Sequence, residues 1–249
     1  MTVKRILQAQ PSRYQIGTFI KTASAHIVEI LGTTSLDFAV IDAEHAPLDR
    51  AMLDLMVMAG RAAGLPLLVR IPDRAAHTIL SVLDMGAGGL LVPHVDTVDD
   101  ARAVVSHARF CGGDRGFSGS PRFAGYGNLG MKDALRIGDE ALVVCQIESP
   151  LAVQNAKQIA ALPGVAGLFV GRADLALAMG LDDSKHPDVT VATERTIETA
   201  LQAGKLAGVF TSNVAERDQF AAKGANWFVC GSDQALLRQG ASTLAHPEA

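Results

Sequence analysis

Hydrophobic side chains in this chain do not alternate with polar ones; they come in short blocks. Nearly continuous apolar runs occupy 16–20, 37–41, 67–69, 89–92, 142–147, 166–170, 207–210 and 227–229. Blocks of that length suit parallel strands covered on both faces, whereas a half-exposed strand would alternate. Between them the spacing turns helical, with recognisable ends. Ser149-Pro150 pairs an N-cap residue with proline in the first turn, and Pro163-Gly164 stops that helix. Thr97, followed by Asp99 and Asp100, opens a helix over 101–109, and Asp73 opens another that closes near Gly86. Segments 51–63 and 191–203, closed by Gly64 and Gly204, read the same way. Eight strands alternating with helices in 249 residues predict an α/β fold, a single-domain (β/α)8 TIM barrel over 1–249. A doubly wound sheet is the competitor, but its glycine-rich phosphate turn is missing: the first strand leads into Lys21-Thr22-Ala23-Ser24. The stretch 112–130, rich in glycine, serine and arginine, is expected to form a long loop over the active face. A C-terminal helix and tail are expected over 233–249.

Composition narrows the class. Hydrophobic residues make up 49% of the chain, enough for a sizeable core. A net charge of −4 without any block of like charge argues against a nucleic-acid partner. No apolar run approaches the roughly 18 residues of a membrane helix, and 1–11 lacks the apolar core of a signal peptide. Cys111, Cys145 and Cys230 are far apart with no CxxC pair, so neither a disulfide framework nor a structural zinc site is expected. A reducing cytoplasm is the expected location.

In a barrel of this kind the chemistry sits where the strands end. Those ends carry Lys21, Asp42 with Glu44 and His45, Arg70, His94, Gln146 with Glu148, Asp174, Ser212 and Asp233, while the opposite ends offer mainly small apolar residues. Gln146 and Glu148 are two apart and project the same way. Neighbouring strands lie about 4.8 Å apart, so Glu148 and Asp174 are within reach of one ion. Oxygen donors favour magnesium or manganese over zinc. The same residues also admit a plain structural role, with Glu148 paired to Arg70 and Asp174 capping the helix after Gly171. Arg70 suits a carboxylate or enolate oxygen, or else an ion pair with Asp42. Asp42 is expected to orient the His45 ring for proton transfer. His94 reads as a packing residue at the mouth. Lys21 reads as a solvated loop lysine, although it is the sole lysine placed for a Schiff base.

At these residues the chain resembles the HpcH/HpaI aldolase family of metal-dependent class II pyruvate aldolases. The matching segments are Gly17-Thr18-Phe19, Asp37 through His45, Leu68-Val69-Arg70-Ile71-Pro72, Leu83 through Ala87, Val92-Pro93-His94-Val95, Gln146-Ile147-Glu148 and Gly167 through Asp174. The resemblance implies cleavage or formation of a 4-hydroxy-2-oxo acid, giving pyruvate and an aldehyde. Glu148 and Asp174 match its metal ligands, for magnesium, manganese or cobalt. Arg70 matches the arginine on the keto oxygen, and His45 with Asp42 the acid–base pair. Gln146 and the amides of Ala173 and Asp174 match substrate contacts, to which Ser212 is added as a candidate. Neither a Schiff-base lysine nor a nucleotide is implied. The family also implies a homo-oligomer, commonly a hexamer of domain-swapped dimers, with Asp84 near a neighbour's site.

Several positions depart from the family pattern. Arg172 stands where many members carry proline, and could alter substrate preference or pair with an acid at an interface. Phe19 replaces a tryptophan, and the segment 115–122 differs. Little chain follows Gly240, which puts a long swapped element in doubt. Two other functions compete: a lyase acting on acyl-CoA thioesters, of citrate-lyase β or malyl-CoA lyase type, and a non-catalytic barrel that binds 2-oxo acids.

Overall fold

The computed structural model describes residues 14–244; the segment 1–11 and residues 245–249 of the expected tail lie outside the described residues. The strands are β1 (Gln15–Ile20), β2 (Phe38–Asp42), β3 (Leu67–Arg70), β4 (Gly89–Val92), β5 (Leu142–Ile147), β6 (Gly167–Val170), β7 (Leu206–Thr211) and β8 (Trp227–Ser232). Each pairs in parallel with the next, and β8 returns to β1. The expected (β/α)8 barrel is the observed fold. Around it run α1 (Ala25–Gly32), α2 (Arg50–Ala63), α3 (Ala76–Asp84), α4 (Val98–Ala108), α5 (Met131–Gly138), α6 (Pro150–Ala161), α7 (Arg172–Ala178), α8 (Pro187–Gln202), α9 (Val214–Ala222) and α10 (Asp233–Leu244).

The helix ends follow from local chemistry. The Ser149 hydroxyl accepts from the Ala152 amide ahead of Pro150. Thr97 and Asp100 cap each other's amides at the start of α4, and Gly64 closes α2 at a φ of 71°, a backbone glycine adopts without steric cost. The polar turn residues that punctuate the sequence are therefore the ones that satisfy the free amides of the first turn.

Inward side chains obey the two-residue strand period. Phe38 and Val40 on β2, Leu68 on β3, Leu142 and Val144 on β5, Phe169 on β6 and Trp227 on β8 fill the barrel interior. Phe38 stacks on Trp227 with ring centroids 4.6 Å apart, and Phe169 meets the same indole edge-on at 5.7 Å. Glycine opposite makes room: a Cβ on Gly17 would lie 2.5 Å from the Phe38 ring, and one on Gly208 2.8 Å from both Phe169 and Trp227. Continuing the same rows by one inward position brings Asp42, Arg70 and Gln146 above this apolar floor. The outward strand residues, such as Ile41, Val69 and Leu90, pack instead against Met56, Val104, Ile159 and Ile197.

One expectation is corrected. The stretch 112–130 follows α4, and a helix in this fold runs back to the starts of the strands, so it does not cover the face where they end. Its neighbourhood confirms the placement. The Phe110 and Cys111 amides donate to Asp139 at 2.7 and 3.1 Å. Arg115 pairs with Asp84 at 2.9 Å, and Arg122 reaches Asp54 and the Met85 carbonyl, each at 2.6 Å. A cavity of about 650 Å³, lined by Arg61, Arg115, Arg122 and Glu140 among others, lies at this far end.

The C-terminal helix α10 is rooted by Asp233, whose carboxylate accepts from the Lys21 and Thr22 amides at 2.8 and 3.0 Å. Beyond it the helix leaves the wall, with Leu237 71% and Leu244 88% exposed. Among the described residues no helix is long and apolar enough to cross a membrane, and the three cysteines are unpaired.

Trp227 touches both ring partners from a fully buried position. Trp227→Ala is therefore expected to lower unfolding free energy by about 3–5 kcal/mol, read from urea melts.

Candidate active site

Two clusters face one another across the mouth. The first is built on β1–β3. Asp42 and Arg70 are register partners, so both reach the same height. The Arg70 Nε and a terminal nitrogen donate to the two Asp42 oxygens at 2.9 and 2.7 Å, a fork-to-carboxylate fit. Lys21 Nζ lies 3.2 Å from Asp42, and the Glu44 and His45 amides donate to it at 3.3 and 3.1 Å. The guanidinium sits over the Phe19 ring, 4.6 Å from its centroid. Burial alone would raise the Asp42 pKa, but the Arg70 hydrogen bonds and charge, the His45 amide and Lys21 together hold it below the usual carboxylate value.

His45 departs from expectation. Asp42 holds its backbone amide, and the imidazole instead lies 3.6 Å from Glu44. Glu44 is the meeting point, since Arg70 Nε lies 3.3 Å away and His94 Nε2 3.6 Å away.

The second cluster is built on β4–β6. Glu148, one residue past β5, is 3% exposed. Its Oε1 accepts from the His94 amide at 2.7 Å and lies 3.1 Å from His94 Nδ1. Its Oε2 accepts from Gln146 Nε2. Gly171 is the wall behind them: a Cβ there would sit 2.7 Å from Glu148 Oε2 and 2.8 Å from Gln146 Nε2. Burial pushes the Glu148 pKa up and the charge of Asp174 adds to the rise, against the His94 and Gln146 hydrogen bonds. Half-buried Asp174 stands in the first turn of α7.

Glu148 is thus a buried carboxylate close enough to Asp174 to feel its charge, and among the described residues its ion-pair partner is the His94 ring rather than a lysine or arginine. Buried Gln146 Oε1 beside it has no partner among the described residues. A pair of oxygen acids in which the charge of one raises the pKa of the other fits a hard divalent cation. Among the described residues no group of three or more His, Cys, Asp and Glu side chains is arranged to hold a metal. An ion here would rest on the two acids and complete its shell from water or substrate.

Other expected residues lie elsewhere. Buried Arg172 pairs with Glu216 of its own chain at 3.1 Å, donates to the Phe210 carbonyl and covers the Phe220 ring. Ser212 is engaged in the same knot, its amide and hydroxyl both donating to Glu216 at 2.9 Å. Burial would raise the Glu216 pKa, but Ser212, Arg172 and Lys185 bring it below its usual value. Asp84, at the end of α3, is at the far end of this chain's barrel, bound to Arg115. Lys21 and His94, read as peripheral, are both inside the network. Lys21 is placed there by the inward row that continues from Phe19.

Comparison with known proteins gives one family. The sequence profile described as HpcH/HpaI aldolase/citrate lyase matches residues 15–240. The 5-keto-4-deoxy-D-glucarate aldolase of Salmonella arizonae is 35% identical, covering 93% of this chain and 91% of the relative. The 4-hydroxy-2-oxovalerate aldolase of Rhodococcus jostii is 36% identical over 94% and 91%. Among solved structures, a HpcH/HpaI aldolase/citrate lyase family protein from Burkholderia cenocepacia superposes with a TM-score of 0.90 at 33% identity, covering 97% of this chain and 96% of that one.

Removing one partner of the Arg172–Glu216 pair leaves a poorly solvated charge. Arg172→Met is expected to cost about 2–3 kcal/mol, below the usual figure for a buried pair because Lys185 and Ser212 remain with Glu216. Adding Glu216→Gln should recover part of the loss. Because the Glu216 pKa is depressed in the folded state, the coupling is full above its ordinary value of 4.5 and fades as pH falls through the folded value. Double-mutant cycles at neutral pH and in acid check both points.

Proposed function

The chain belongs to the HpcH/HpaI aldolase/citrate lyase family, and from that membership we propose that it is a divalent-metal-dependent aldolase. Its substrate is a 4-hydroxy-2-oxo acid, cleaved to or formed from pyruvate and an aldehyde. The observation that carries this reading is the buried Glu148, its pKa raised by burial and by the charge of Asp174, across the mouth from the Asp42–Arg70 pair. The relatives' names, all aldolases of oxo acids, support the same chemistry.

Glu148 and Asp174 hold the ion in this reading. When bound, a divalent cation supplies Lewis acidity that lowers the cost of negative charge on a keto oxygen. The rest falls to the chain's own side chains. Arg70, aimed by Asp42, donates hydrogen bonds to the keto oxygen where charge develops as the C3–C4 bond breaks. The electron pair of that bond moves toward C3 and the keto oxygen. The C4 hydroxyl proton leaves to His45, whose ring is held near Glu44, and the aldehyde is released. A proton returned to C3 completes pyruvate. Gln146 and the Ala173 and Asp174 amides orient the pyruvyl unit, as the family resemblance implies. Lys21 is neutralised by Asp42 and takes no covalent part.

We further propose a homo-oligomer. The exposed leucines of α10, Leu236, Leu237 and Leu244, leave an apolar face suited to a second copy, as do Ile30, Leu55 and Met58 on α1 and α2. A second copy would also bring Asp84 toward a neighbour's mouth. Light scattering on the eluted protein measures the assembly, a hexamer made of three dimers being the expected result.

The direct test is metal-dependent deuterium exchange at pyruvate C3, followed by NMR, which needs no knowledge of the aldehyde. Glu148→Gln and Asp174→Asn are each expected to abolish it with the fold intact. Near-normal exchange in both would remove the ligand assignment. Arg70→Ala should lower kcat by about 100-fold or more; a change confined to KM would make Arg70 a binding group only.

A further inference from the structure

His94 is one of two non-glycine residues among those described with a positive φ, at 52°. The other, Tyr126, belongs to the far-end segment. A left-handed backbone disfavours an L side chain, and glycine or asparagine tolerates it best. The surroundings hold His94 there from several sides. Arg74 donates to its carbonyl and pairs with Asp100 at 3.1 Å. Two residues on, Asp96 is bound by the Ser149 hydroxyl, and its carbonyl by Asn155 at 2.8 Å.

The turn aims two nitrogens of one residue at one oxygen. The His94 amide and its Nδ1 both meet Glu148 Oε1, at 2.7 and 3.1 Å. Gln146 holds the other oxygen against Gly171. The terminal torsion of a glutamate is broad and two-fold when free. Here both oxygens are gripped, which fixes the carboxylate plane and limits which lone pairs stay free. We propose that His94 is a positioning residue that sets the plane of the Glu148 carboxylate, and that the strained β4 turn is kept for that purpose. The proposal rests on the aldolase reading for Glu148 as a metal ligand. It adds the residue that orients that ligand, and with it a reason why His94 occupies a position better suited to glycine.

Full-length His94→Gly and His94→Asn separate the two effects. Both keep the amide that donates to Glu148 and both relax the backbone, while the imidazole is lost. Metal-free thermal unfolding and Mn²⁺ titration, by calorimetry or EPR, are read for each. Expected is a melting temperature for His94→Gly at or above that of the wild type, with Mn²⁺ bound at least tenfold more weakly. His94→Asn should fall between. Mn²⁺ binding by His94→Gly as tight as the wild type would overturn the proposal. So would weaker binding that merely tracks a lower melting temperature in both variants, since that marks a packing residue. A wild-type protein that binds no Mn²⁺ would overturn the metal reading and this proposal together, an outcome told apart by the wild-type titration itself.

Discussion

Charge placed above an aromatic floor governs how this molecule is built. Asp42, Arg70, Gln146 and Glu148 are each less than a tenth exposed, and all four top the inward rows of strands whose lower positions are Phe38, Leu68 and Val144. A charge in such a place must be met by hydrogen bonds or an opposite charge. The two sides of the mouth meet that demand differently. Asp42 is answered by Arg70, Lys21 and two backbone amides. Glu148 is answered by hydrogen bonds from His94 and Gln146 and by the His94 ring 3.1 Å away, while Asp174 adds a charge of the same sign.

That asymmetry links folding to function. The Asp42–Arg70 side is complete without any ligand, so it stabilises the barrel mouth and presents a guanidinium in a fixed orientation. The Glu148–Asp174 side carries an electrostatic deficit, because burial and a neighbouring like charge both weigh against the ionised Glu148. Gly171 and the strained His94 belong to the deficient half. Proteins concentrate such local cost at the groups that must act.

Much of this is legible in the order of residues. The unbroken apolar blocks identify all eight strands, because a strand covered on both faces must be apolar throughout. Ser149-Pro150, Thr97 with Asp100, and Gly64 locate helix ends, because free amides and a left-handed stop demand those residue types. Asp42, Arg70, Gln146 and Glu148 follow from their places at strand ends. The two-residue step from Phe19 to Lys21 carries the same signal, and it places Lys21 in the mouth rather than in solvent. Segment 112–130 lies at the opposite end of the barrel from the one expected, since it follows α4 rather than β4. The His45 ring is on Glu44 rather than Asp42, because the chain turn after β2 gives Asp42 the amide and carries the imidazole past it.

Architecture, strand order and the row of polar residues at one end all come from local periodicity and from the residue types that end a strand or helix, so the chain specifies them without reference to distant contacts. The same residues carry the family resemblance, which the sequence comparisons bear out. Pairing is a different matter, and it belongs to the folded state. Arg172 with Glu216, Lys21 with Asp42, and His94 with Glu148 are separated by 44, 21 and 54 residues. Which charges neutralise one another depends on distances across the closed barrel, and these exist only once β8 has returned to β1.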